Sequence, residues 1–498
     1  MSFNSLQFIV FFPIVVAAYY AIPKRFKNAW LLMASYYFYS CWNAKYVFLL
    51  LYTTVVTYGS GLLLERISSG DMEEGRQIIQ KKIVVAATLF LTLSTLFYFK
   101  YFNFALTALQ NMLRLIHIQL NLPTYDMVLP VGISFFTFQA LSYTIDVYRK
   151  DIRAERNFCK YALFVSFFPQ LVAGPIERSK NLLLQLEVPN RFDYERTKDG
   201  LLQMIWGFFL KIVLADRIAI FVDTVYGHIG KYSGCYLIIA TLLFGFQIYC
   251  DLYGYSSIAC GAAEILGIRL IENFNAPFLS HSVGEFWKRW HISLTSWFKD
   301  YVYIPLGGSR KGKLRKHINR IVVFLLSGLW HGASFTYVVW GGMYALFQTM
   351  GELLMPLRNR INQCLGLHTE SFGHRLLRLG LTFSIINFNH IFFRAQSLKE
   401  VVIIIRRIVT IYNPWILFDG SLYQCGLNRQ EWSVMLIGLM ILLYADLKKY
   451  RGIKIRRKIL QQDAWFQVVT VVASVCAILI FGMWGPEFKE ANFVYFQF

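Results

Sequence analysis

Apolar residues run along this chain in blocks of roughly twenty, joined by short connections that carry most of the charge. Twenty helical residues span a hydrocarbon layer of about 30 Å. The blocks at 6–22, 46–64, 82–100, 129–147, 321–350 and 466–484 therefore predict membrane-crossing helices. With the weaker blocks counted, roughly ten to twelve crossings are expected. The fold class this implies is all-α, a polytopic integral membrane protein. The polar segments at 65–82, 149–160, 177–200, 271–320, 358–375 and 448–463 are each too short for a separate domain. No short-period repeat or Pro-rich linker divides the chain. The expectation is one membrane-embedded domain over 1–498, ending in a crossing at 464–484 and a tail at 485–498.

Composition agrees with the pattern. The chain is 56% hydrophobic and 16% charged, where a soluble domain carries about 25% charged residues. A formal net charge of +21 does not signal nucleic acid, because the basic residues sit between apolar blocks rather than on one soluble face. Lys24, Arg25 and Lys27 follow the first block, and a basic run from Lys448 to Lys458 precedes the last. The positive-inside rule places both connections in the cytoplasm. The first block is then a retained crossing with its N-terminus outside, not a cleaved leader. By the same rule the tail after Trp484 lies outside. The eight cysteines show no CxxC pairing and read as small hydrophobes.

The 271–320 segment is polar and basic, yet rich in Trp, Phe and Tyr. Such residues belong at headgroup level. Irregular backbone there is tolerated only beside protein or a water-filled cavity, so a cavity is expected near this segment. Within it, GGSRKGKL (307–314) has the spacing of a phosphate-binding loop but ends on Leu314 instead of Ser or Thr, with no strand before it. His117, His228, His281 and His317 have no ligand partners at metal-site offsets, and no GxSxG nucleophile motif is present.

Two histidines stand in aromatic surroundings: His291 in EFWKRWHISLTSWFKDYVYIPLGG (285–308) and His331 in SGLWHG. Each is open to a structural reading or a chemical one. For His331, burial in a low dielectric favours the uncharged imidazole, which is a base. Gly328 and Gly332 would let a substrate or another backbone approach closely, and ionisable groups at membrane depth mark functional sites.

These motifs, with FPQLVAGPIER (168–178), YCDLYGYSSIACG (249–261), NFNAPF (273–278) and IFFRA (391–395), resemble the membrane-bound O-acyltransferase family. Within it they are similar to the bacterial membrane subunits of alginate and peptidoglycan O-acetylation. Tyr253 and Ser257 depart from that branch, which usually has a serine and an acid there. The resemblance implies a helical bundle with a cytoplasmic funnel, His331 as the catalytic histidine, and His291 in the funnel. Lys288, Arg289 and Arg310 then have two readings, as groups steering an anionic donor or as headgroup anchors.

The chain ends FVYFQF, 493–498. An interfacial aromatic anchor explains such an ending, but it also resembles the FxYFxF ending of this branch. In the related teichoic-acid D-alanylation system that ending sits on a separate small peptide. The resemblance makes Tyr495 an acyl acceptor. It further implies a bacterial plasma-membrane enzyme with acetyl-CoA as donor, no bound cofactor or metal, and an extracytoplasmic SGNH-hydrolase-like transferase as partner. The final acceptor would be a polysaccharide or peptidoglycan. D-Alanyl transfer to teichoic acid is the alternative within the family, and a transporter or flippase the alternative outside it. Half-chain repeats and an intramembrane acidic cluster, which a transporter would show, are not evident.

Overall fold

The computed structural model describes residues 1–484 except 121, 122, 124, 126, 127 and 189. The tail at 485–498, with Tyr495, lies outside the described residues. Those described are helical, with no strand among them. Six segments are long and apolar enough to cross a membrane: Lys24–Ser69, Glu74–Leu115, Gly234–Ile265, Phe372–Arg394, Arg429–Tyr450 and Ala464–Phe481. Six counts apolar segments rather than crossings, since the first two, at 46 and 42 residues, each hold two successive long helices. The block expected at 6–22 forms the shorter apolar helix Leu6–Ala21.

The chain divides into two compact units. The first comprises 1–204 and 258–271. Its helix Val47–Ser69 carries Thr54, Thr57 and Ser60 on one side, all buried. Thr54 and Thr57 donate to carbonyls one turn back, at 2.8 and 2.6 Å, and Ser60 meets Thr144 at 2.8 Å. With no water at that depth, hydroxyls must be satisfied inside the protein. The GPIER motif braces this unit: Glu177 accepts from the Ile271 amide at 2.5 Å and from Asn181 at 2.6 Å.

The second unit comprises 205–257 and 272–498. Here the structure corrects one expectation. The apolar run at 321–350 is not one continuous crossing but two helices, Gly312–His331 and Phe335–Leu353. Gly332 is extended, and Ser334 caps the new start by accepting from the Thr336 amide at 3.3 Å. The helices fold back as an antiparallel hairpin. A methyl at Gly328 would lie 2.2 Å from the Tyr337 carbonyl oxygen, and one at Gly341 2.2 Å from that of Phe324. Only glycine permits backbones this close. At the open end Glu352 accepts from Lys316 and Arg320 of the facing helix. His331 occupies the closed end.

Candidate active site

His331 is the last residue of its helix, 3% exposed. Trp330 and Trp340 each place a ring centroid 4.9 Å from it, and Phe393 one at 5.3 Å, all nearly perpendicular to the imidazole. The cage therefore comes from both arms of the hairpin and from the IFFRA motif on the helix Phe372–Arg394. Of the two approaches that the flanking glycines allow, the structure shows the protein's own: Gly328 admits the Tyr337 backbone and Gly332 the Tyr337 ring. Trp340 is 4% exposed, and its indole N–H has no hydrogen-bond partner among the described residues. A buried donor left without a partner is costly and marks a position where a ligand oxygen would be welcome.

His291 sits between two short helices, Val283–Arg289 and Ile292–Phe298. Its backbone is left-handed at φ 43°, ψ 56°, uncommon and strained for a residue with a Cβ. The NFNAPF motif holds this kink. The Asn273 carbonyl accepts from the Ile292 amide at 2.9 Å, and its side chain accepts from the Ser293 amide at 3.1 Å. The Trp330 ring lies 6.0 Å from His291 and Phe274 lies 6.2 Å away. Burial among these rings lowers the imidazole to about 3, leaving it uncharged at cytoplasmic pH. His291 and His331 thus both lie against the same indole, that of Trp330.

The basic candidates differ in their surroundings. Lys288 and Arg310 are exposed. Arg289 is engaged: it pairs with Glu285 at 3.0 Å, donates to the Asn275 carbonyl at 3.2 Å, and lies 4.6 Å above the Tyr450 ring. Tyr253, one of the two departures from the branch pattern, stacks on Tyr249 at 5.5 Å. Lys449 reaches the Tyr253 hydroxyl at 3.3 Å, Glu272 at 2.9 Å and the Phe274 carbonyl at 2.7 Å. Those two tyrosines and the lysine support the ring beneath His291. Ser257 is buried. The sequence reading passes over His390, which is 4% exposed on the helix Phe372–Arg394. A methyl at Gly245 would lie 2.9 Å from its Nδ1 and 2.9 Å from the Asn387 oxygen.

Comparison with known proteins decides the family. Residues 149–381 match the membrane-bound O-acyltransferase family, a span containing both caged histidines. A probable alginate O-acetylase of Pseudomonas syringae pv. tomato is 33% identical over 449 residues, 90% of this chain and 81% of the relative. The peptidoglycan O-acetyltransferase of Helicobacter pylori is 32% identical over 82% of this chain and 80% of its own length. The chain belongs to the membrane-bound O-acyltransferase family. It is a multi-pass membrane enzyme that transfers acyl groups. The teichoic acid D-alanyltransferase of Bacillus subtilis is a more distant member, 28% identical over 47% of this chain and 61% of its own length.

Proposed function

We propose that this enzyme carries an acetyl group from a cytoplasmic thioester, acetyl-CoA, to a polysaccharide or peptidoglycan outside the membrane, with Tyr495 as the intermediate acceptor. The observation that carries the reading is His331, buried and enclosed by Trp330, Trp340 and Phe393 at the hairpin tip. The imidazole takes the phenolic proton as the phenol oxygen attacks the thioester carbonyl, the C–S bond breaks, and the proton passes to the departing thiolate. A phenol, with an ordinary pKa of about 10, ionises far more readily than an alcohol. Its acetyl ester keeps enough transfer potential to pass the group to a sugar hydroxyl. A separate extracytoplasmic transferase of the SGNH-hydrolase type completes that step.

His291, whose ring also lies near Trp330, handles the donor as a neutral hydrogen-bonding group, and Lys288 and Arg310 draw the anionic carrier in. The relatives' activities favour acetyl over D-alanyl, because the two acetylating relatives match most of the chain and the D-alanylating one under half. A radiolabelled-donor assay in purified membranes tests the base. His331→Ala should lower acyl transfer by about 10²–10⁴-fold while the protein still accumulates in the membrane. Transfer within a few-fold of wild type would remove His331 from the role.

A further inference from the structure

The last crossing, Ala464–Phe481, has the highest mean hydropathy of the six candidate spans, and only 6% of it is buried in the protein. Such a helix is held mainly by lipid, and its tilt is set by whatever packs against it. Its far end, however, is tied down. Arg217, itself 5% exposed, donates through Nη2 to the Phe481 carbonyl at 2.8 Å and through Nη1 to the Val213 carbonyl at 2.8 Å. The Met483 amide donates to the Ile212 carbonyl at 3.1 Å. Gly482 fits tightly between them: a methyl there would lie 2.6 Å from Trp484 Nε1 and 2.9 Å from the Ile212 side chain. The Phe481 carbonyl is among the last four of its helix, which lack partners within it. A cation at that end also meets the negative pole of the helix dipole.

The support for this tie is itself built. Residues 209–215 form a π-helical turn, a rare element frequently found at functional sites. Its Lys211 pairs with Asp216 and with Asp251 of the long helix Gly234–Ile265, at 2.8 Å each, all three nearly buried. Breaking one member of such a group would leave buried charge uncompensated, so the turn is held rigidly just before Arg217, the second residue of the next helix, Asp216–Gly227.

We infer that Arg217 and the π-helical turn 209–215 are a positioning device that fixes where the acceptor tail leaves the membrane domain. The inference rests on Tyr495 being the acyl acceptor. Ten residues lie between Trp484 and Tyr495, eleven residue-to-residue steps that at full extension reach no more than roughly 36–40 Å. Within that radius the concentration of the phenol at the active site depends on where the tail starts. Free the helix end and the same tail samples a larger volume.

The test uses the full-length protein. Arg217→Ala should lower acetylation of the chain's own Tyr495 by roughly tenfold. Acetylation of an added synthetic peptide of residues 485–498, distinguished by mass, should stay within twofold of wild type. Arg217→Lys, which keeps the charge but not the two-pronged reach, should fall between. Spin labels at exposed Ile480 and His228, with Cys41, Cys364 and Cys476 replaced, should give a narrow distance distribution that broadens in Arg217→Ala. Own-tail acetylation within twofold of wild type would overturn the inference, as would a parallel loss with the added peptide or an unchanged label distance. If the wild type itself leaves Tyr495 unmodified, the relay fails, and the label distance alone still decides whether Arg217 pins the helix.

Discussion

The proposed chemistry at His331 depends on an imidazole packed among rings. Three aromatic faces restrain it, so loss of the ring should abolish transfer without loss of the fold. Trp340→Phe separates a second contribution. It keeps most of the cage's shape and removes one buried indole N–H, and if that donor serves the thioester carbonyl oxygen, kcat should fall by about 10-fold or more with donor KM nearly unchanged. An equal kcat would show the indole to be packing alone. His291→Ala should raise the donor KM and leave kcat less affected. Because burial holds His291 at about 3, its uncharged form is constant across pH 5–8, and the wild-type donor KM should show no His291 titration there. His331 is legible in the sequence because a lone imidazole in an apolar run is costly. Its cage is not, since Phe393 comes from a helix that no local spacing connects to the hairpin. His390 escaped notice for the opposite reason: one histidine among NFNHIFF looks like filling until Asn387 and Gly245 are seen beside it.

Helices are where hydropathy succeeded most and then misled once. The last crossing, expected at 464–484, is observed as Ala464–Phe481, and the block at 129–147 as Ile133–Tyr148. The run at 321–350 looked continuous because the residues at its break, Gly332 and Ala333, are small and carry no charge to interrupt it. The turn chemistry was nevertheless written there, in a glycine followed two residues later by a capping serine. Gly328→Ala tests the hairpin directly. Its added methyl would meet the Tyr337 carbonyl oxygen at 2.2 Å, so the helices must part at a cost of about 1–3 kcal/mol, visible as a lower thermal midpoint with transfer reduced. At the open end, hydrogen bonds from Lys316 and then Arg320 lower Glu352 to about 2. A carboxylate held below its unfolded value contributes stability that is complete above the ordinary pKa of about 4.3 and is lost as pH falls through about 2. Glu352→Gln should therefore lower the thermal midpoint at pH 7 and converge on wild type near pH 2–3. A constant gap across that range would mean that the clamp's ionisation contributes nothing.

At the scale of the molecule, two kinds of signal in the sequence did different work. Block length and the placement of Lys and Arg gave an all-helical membrane protein from physics alone. The family came from long ordered motifs whose purpose the structure partly explains: NFNAPF holds the kink at His291, GPIER braces residue 271, and IFFRA supplies a wall of the His331 cage. The relay through the tail depends on Tyr495 reaching that cage from the side opposite the donor. Its most direct test is the intact mass of the C-terminal peptide after the purified enzyme is incubated with acetyl-CoA, with His331→Ala and Tyr495→Phe run alongside. The account predicts one added acetyl group, placed on Tyr495 by fragmentation, in the wild type and in neither variant. An unmodified tail in a preparation that still acetylates its polymer, or an acetyl that persists in His331→Ala, would contradict it.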